Sequence, residues 1–163
     1  MAQTAGPTAA LAGVPTGLQA QGVWVGRRQL YVRFAAEAET ATMYTAQAIA
    51  QELKRSATRS TFHSISIGGR DPLANVDFLK AAFNAEKPPL PVMLDIDGQR
   101  PENLDGLTKH FDLVQITLEG STLEPPAERA MMSLKKCVAS DTDHALVLAQ
   151  HGLQRYFRRQ GLA

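Results

Sequence analysis

Four short runs of branched and aromatic residues, separated by stretches in which apolar residues recur every three or four positions, restrict this chain to few folds. A strand puts successive side chains on opposite faces, whereas a helix returns to one face after about 3.6 residues, so a segment serves one period or the other. Gln29-Leu-Tyr-Val-Arg-Phe34 is the first run and reads as a strand entered from glycine. From about Thr42 the period changes, with Met43, Ala46, Ile49, Ala50 and Leu53 on one face and Gln47, Gln51, Lys54 and Arg55 on the other, an amphipathic helix. Phe62 to Ile67 alternates again and ends at Gly68-Gly69, where backbone can approach a ligand closely. A second helix is expected from about Asn75 to Asn84, with Val76, Leu79, Ala82 and Phe83 inward, ended by Pro88-Pro89. Pro91 to Ile96 is the third strand, and a short helix over Pro101 to His110 precedes the fourth, Asp112 to Leu118. Strands alternating with helices imply right-handed βαβ units, so the fold class is α/β with a mostly parallel sheet.

The two ends depart from that pattern. Residues 1–17 are mostly Ala, Gly, Thr and Pro without an apolar period, and a flexible N-terminal arm is expected because such a segment buries too little to offset its ordering. Val23-Trp-Val25 reads as a short strand or a turn. Beyond Gly120 the sequence reads as helical, first from Pro125-Pro126 to about Ala139, then from a capping box at Ser140 to Asp143 as far as about Gln160. The expected organisation is an arm over 1–17, an α/β domain over 18–122 and a C-terminal helical extension over 123–163 packed on that domain.

Charge and cysteine content exclude several functions. Seventeen Lys and Arg against 16 Asp and Glu give a net charge of +1, so no global field draws nucleic acid or an anionic membrane. No apolar run approaches the roughly 18 residues that a spanning helix needs, and the N-terminus lacks the pattern of a secretory signal, so a cytoplasmic protein is expected. Cys137 is the only cysteine, which rules out an intramolecular disulfide, a multi-cysteine zinc site and an iron–sulfur cluster held by several thiolates of this chain. Its neighbours Lys135 and Lys136 would lower a thiol pKa; the competing reading is a small buried hydrophobe.

The titratable residues form no constellation with catalytic spacing. His144 and His151 stand two helical turns apart, about 10 Å, too far for one metal ion. Asp95 and Asp97 sit at the C-terminal end of a strand, the edge where α/β sheets hold ligands, although Asp97-Gly98 is also an ordinary turn pair. Arg27-Arg28 is either an anion contact or a solvated turn. Gly68-Gly69 has the freedom to cradle a phosphate or carboxylate through backbone N–H groups. Trp24 and Tyr31 lack the basic companions of a nucleic-acid platform and read as packing residues. For a new catalytic chemistry, Glu37, Asp95 and Cys137 are the only candidates.

Gln19-Ala-Gln-Gly-Val-Trp-Val-Gly-Arg-Arg-Gln-Leu-Tyr-Val-Arg-Phe-Ala35 resembles the opening of the 7-carboxy-7-deazaguanine synthase family of radical S-adenosylmethionine enzymes. That family begins with a Gln-Gly-Glu-Gly turn, a Gly-Arg pair and a Val-Arg-Phe strand. Ile65-Ser-Ile-Gly-Gly-Arg-Asp-Pro-Leu73 is similar to its Thr-Gly-Gly-Glu-Pro-Leu turn, and Leu90-Pro-Val-Met-Leu-Asp-Ile-Asp-Gly98 stands where it has Leu-Glu-Thr-Asn-Gly. The resemblance fades near Ser121. It implies a truncated radical-SAM-like partial barrel, with the helical tail replacing further sheet.

The resemblance also implies what is missing. In the family, three cysteines spaced Cys-x3-Cys-x2-Cys hold a four-iron, four-sulfur cluster whose open iron binds S-adenosylmethionine; the matching positions here are Glu37, Ala41 and Tyr44. The family's Asp-Thr, whose Thr helps hold magnesium, becomes Thr45-Ala46. The Glu of the glycine turn becomes Arg70, followed by Asp71, and the Glu of Gln-Gly-Glu-Gly becomes Gln21. Gln19 and Arg33 remain, and Arg33 retains a fork suited to a carboxylate. The expectation is a catalytically inactive scaffold with no iron–sulfur cluster and no S-adenosylmethionine chemistry. It would act as a protein-binding accessory or structural subunit, with another protein chain or a second copy as partner. The alternative is a small-molecule regulator related to 7-deazaguanine metabolism, holding a purine-like, pterin-like or carboxylated ligand through Gln19, Gln21, Arg27, Arg33, Gly68, Gly69 and Arg70.

Overall fold

Each of the four alternating runs pairs into one sheet, and the helical periods cover one of its faces. The computed structural model describes residues 6–97, 100–104 and 106–116, together with the backbone of 137–139. The order is β1 (Thr8–Gly13), β2 (Thr16–Leu18), β3 (Arg28–Phe34), β4 (Thr42–Thr45), α1 (Ala46–Arg59), β5 (Ser64–Gly69), α2 (Val76–Ala85), β6 (Val92–Ile96), β7 (Leu113–Ile116) and β8 (Cys137–Ala139). Single 3-10 turns occupy Pro72–Asn75, Pro101–Leu104 and Thr108–His110, where one short helix was expected over the last two.

Across the sheet the strands run β4-β1-β3-β5-β6-β7-β8, with β2 also on β3. From β3 to β8 all neighbours are parallel, in a register that sets Leu30 beside Ile65, Ile65 beside Val92 and Leu94 beside Val114. β1 lies antiparallel between β3 and β4. The α/β expectation with a mostly parallel sheet agrees with this architecture.

Side chains of one parity make the core. Leu30, Val32 and Phe34 of β3, Ile65 and Ile67 of β5, Val92, Leu94 and Ile96 of β6, and Val114 and Ile116 of β7 are all buried in one cluster with Ile49 and Leu53 of α1 and Phe78, Leu79 and Phe83 of α2. α1 starts where Thr45 Oγ1 accepts the Ala48 N–H at 3.1 Å, an N-cap that satisfies one of the helix's orphan donors. Among the described residues no helix is long and apolar enough to cross a membrane.

Three expectations are corrected. Residues 8–13 are not part of an arm: β1 is hydrogen-bonded on both sides, and Ala9 and Leu11 are buried against Phe34's side of the sheet. Two inward side chains are too few to register as a period, and the strand forms because β3 and β4 each offer it an edge. The boundary expected at 17/18 therefore falls inside β2. Met43 is not on the inner face of α1; Thr42–Thr45 is β4, and Met43 is 63% exposed. Cys137–Ala139 is a strand parallel to β7 rather than the end of a helix, so this segment extends the sheet. The expected helices at 125–136 and 140–160 lie outside the described residues.

Leu11 is fully buried, so Leu11→Ala should cost about 3 kcal/mol in urea unfolding, as is typical for a core leucine. A cost near zero would restore the flexible arm.

Candidate functional site

The other parity of the same strands is mostly polar, interrupted by the buried Met93 of β6 and Leu113 of β7. Gln29, Tyr31 and Arg33 of β3, Ser64, Ser66 and Gly68 of β5, Asp95 of β6 and Gln115 of β7 share the face opposite the helices, since side chains alternate along a strand and the parallel register keeps the parities aligned. Of these, Gln29, Ser64 and Gln115 have no exposed surface and Ser66 is 3% exposed. Burying polar groups costs free energy unless they are hydrogen-bonded. Gln29 Nε2 donates to Ser64 Oγ at 2.8 Å, and His63 Nδ1 lies 2.9 Å from the same oxygen. Among the described residues, the Gln29 Oε1 atom and both amide atoms of Gln115 have no hydrogen-bond partner. An orphaned group of this kind costs about 1–3 kcal/mol.

The turn between β2 and β3 reaches this face. It closes on itself through Gln19 N–H to Arg27 O at 2.9 Å and Gly26 N–H to Gln19 O at 2.8 Å. Tyr31 Oη donates to Gln19 Oε1 at 3.2 Å, and Gln19 Nε2 donates to Gln21 O at 3.0 Å. Trp24 meets His63 edge-on at 5.0 Å. Gly22, at φ +77°, approaches Gln115 so closely that a Cβ there would lie 2.9 Å from the Gln115 Cδ. Only glycine fits that position.

At the C-terminal edge of the strands a cavity of about 190 Å³ is lined by Gly69, Asp71, Pro72, Asp95, Ile96 and Asp97. This is the edge at which open α/β sheets hold ligands. Gly69, at φ +94°, lets the chain turn back so that Arg70 N–H donates to Phe34 O at 3.0 Å, and a Cβ on it would strike the Phe34 backbone. Asp71 adopts φ 41°, its Oδ1 accepting from Ala74 N–H at 3.2 Å and its Oδ2 from Arg100 Nε at 2.6 Å. Burial, and then the negative charge of Asp95, push the Tyr31 hydroxyl above its ordinary pKa of 10.0.

Of the residues expected at a site, Gln19 is buried at the root of the turn, Gly69 lines the edge cavity, and Gly68 precedes it beside Asp95. Gln21, Arg27, Arg33 and Arg70 are exposed, with Arg33 ion-paired to Glu39. Glu37 and Ala41 are exposed in the connection from β3 to β4, while Tyr44 on β4 pairs with Ala9 and packs on the core. Among the described residues no group of three His, Cys, Asp or Glu side chains is arranged to hold a metal ion. Gln29, Ser64, Ser66 and Gln115 were missed from sequence, although polar residues at every second place of otherwise apolar strands are the signal that finds them.

No protein-family profile matches the chain. Over 116 residues it is 28% identical to the 7-carboxy-7-deazaguanine synthase of Methanothermobacter thermautotrophicus, a match covering 63% of this chain and 46% of that protein. The chain thus spans about half the length of the curated relative it matches. In fold it resembles QueE from Escherichia coli, with a TM-score of 0.56 at 11% identity, over 91% of this chain and 77% of that one.

A raised tyrosine pKa favours the neutral phenol in the folded state. Its stabilisation is present below pH 10 and is lost as pH rises through the raised value. Above pH 10 the wild type should therefore lose stability more steeply than Tyr31→Phe in parallel chemical unfolding; identical slopes would contradict the assignment.

Proposed function

From its relation to the 7-carboxy-7-deazaguanine synthases, we propose that this chain works by binding a small polar molecule rather than by radical chemistry. The buried polar sheet face, closed by a glycine turn and continuous with an edge cavity, carries this reading. A face kept only for stability would be apolar or solvated, because unpaired buried amides destabilise the fold. The Gln19–Tyr31 and Gln29–Ser64 pairs supply neutral donors and acceptors, and Asp71, Asp95 and Asp97 bring three carboxylates to the cavity lining. Such a set suits an uncharged planar heterocycle better than a polyanion.

The reading includes no iron–sulfur cofactor and no S-adenosylmethionine cleavage. A four-iron cluster needs soft thiolate ligands, and the three positions matching the family's cysteines hold a carboxylate, a methyl group and a phenol engaged in packing. It also needs neither nucleic acid nor a membrane, in keeping with a net charge of +1, and it places the protein in the cytoplasm.

The second reading is an accessory or structural subunit that binds another protein or a second copy. Its support is the β2–β3 region, where Leu18, Val23 and Val25 are 67%, 56% and 60% exposed. Exposed apolar residues grouped along a short stretch are a feature of docking surfaces. The sequence alone ranks this reading first; the buried polar face moves small-molecule binding ahead of it.

A thermal-shift screen of neutral heterocycles and of small carboxylates separates the possibilities. A heterocycle at a hundred times its Kd should stabilise the protein by about 2.7 kcal/mol, a shift of several degrees. No stabilisation by any heterocycle, together with a defined oligomer in native mass spectrometry, would favour the second reading.

A further inference from the structure

We propose that the outer edge of β2 is a subunit interface, at which two copies of this chain pair β2 against β2, antiparallel about a two-fold axis at Gly17, and join their sheets. The inference stands apart from the binding reading above, and either can fail without the other.

β2 is bonded on one side. Tyr31 N–H donates to Pro15 O at 2.8 Å and Gln19 N–H to Arg27 O at 2.9 Å, so Pro15, Gly17 and Gln19 turn their backbone groups toward β3. Ladder bonds alternate along an antiparallel strand, and Thr16 and Leu18 therefore turn theirs the other way. Among the described strands β2 pairs with β3 alone, and Thr16 and Leu18 are both exposed. Such an edge is a template for another strand, and proteins that stay monomeric defend it with charge or proline. This edge is undefended. No Asp, Glu, Lys, Arg or His occurs from Met1 to Gly26. Pro15 lacks its N–H on the side that faces β3, which leaves the outer edge unprotected. Arg28, across the ladder from Leu18, is occupied by Ser60 Oγ at 2.9 Å and by the Phe62 ring. Leu18, Val23 and Val25 are also three of the four large apolar side chains exposed among the described residues, and they lie along this strand and the turn that follows it.

A second copy is the occupant because this edge is its own complement. Rotation about Gly17 sets Thr16 opposite Leu18 of the partner subunit and Leu18 opposite the partner's Thr16, so each residue meets the N–H and C=O it lacks. At the axis the two glycine Cα atoms approach to about 4.5 Å, the spacing of a non-hydrogen-bonded pair. Neutral residues face neutral residues, and the symmetry brings no like charges together. The turn carrying Val23 and Val25 moves toward the partner's Val14. A lone peptide on so short an edge would gain the same bonds without bringing a surface to cover these valines.

Sedimentation equilibrium of the full chain, from about 1 to about 200 μM, tests this and should show a monomer–dimer equilibrium in the micromolar range, as suits a small interface. Leu18→Lys sets a charge on the edge, and Thr16→Pro deletes an outward N–H while leaving the ladder to β3 intact. Each should raise the dimer Kd about tenfold or more without lowering the melting temperature at concentrations where the wild type is monomeric. Met43→Lys, at the exposed apolar residue of β4, should leave the Kd unchanged. A monomer at every concentration would overturn the inference. A dimer that Leu18→Lys leaves intact, or that Met43→Lys weakens as much, would overturn it too, by placing the interface elsewhere. If Thr16→Pro fails to fold, Leu18→Lys, a substitution at an exposed side chain, still decides the matter.

Discussion

The in-register parallel pairing of β3, β5, β6 and β7 decides everything else about this molecule, because it sorts the side chains of four strands into two unlike faces. One parity is apolar and is sealed by α1 and α2. The other carries Gln29, Tyr31, Ser64, Ser66, Asp95 and Gln115, and the turn before β3 approaches it at Gly22. A slip of one residue in any of these strands would exchange the faces, so the register is held by the full apolar core. The polar face thus rests on stability supplied from the opposite side of the same sheet, which lets it tolerate orphaned amides that a small core could not carry.

The segment between β3 and α1 shows how the fold has been redirected. Of the positions that match the family's cluster cysteines, Glu37 and Ala41 lie in the connection from β3 to β4 and Tyr44 lies on β4, which is hydrogen-bonded to β1. Tyr44 packs against the core, Thr45 caps α1 through its side chain, and Ala46, at the position matching the family's magnesium-holding Thr, is buried and has no hydroxyl. The end of what would be a ligand loop is here a piece of sheet, with Tyr44 and Thr45 committed to packing and capping. The proposed binding function follows this change, with a molecule held against the polar face in place of a redox centre at the sheet's edge.

Much of the fold was legible in the sequence where period and burial agree. The strands at 29–34, 62–67, 91–96 and 112–118 and both helices announce themselves through alternation or a repeat near 3.6, because each contributes several side chains to one core. β1 and β4 were not legible: Ala9 and Leu11 are two inward residues among Thr, Ala and Gly, and Met43 sits at a spacing that suits the helix after it. Both strands exist through backbone pairing, which leaves little trace in side-chain pattern. The site was half legible. Gln19 and the glycine pair stand out by resemblance, whereas Gln115 acquires meaning only once the register places it beneath the turn and beside Asp95, and Ser66 only once it is set between Tyr31 and Met93.

The claim that binding has replaced radical chemistry is most directly tested by quantifying iron and sulfide in the protein isolated anaerobically and again after reconstitution, with an ultraviolet–visible spectrum of each sample. The account predicts no stoichiometric iron or sulfide and no charge-transfer absorption, because Glu37, Ala41 and Tyr44 supply no thiolate. A stoichiometric four-iron cluster would contradict it, and would mean that sulfur ligands from elsewhere complete a working redox centre.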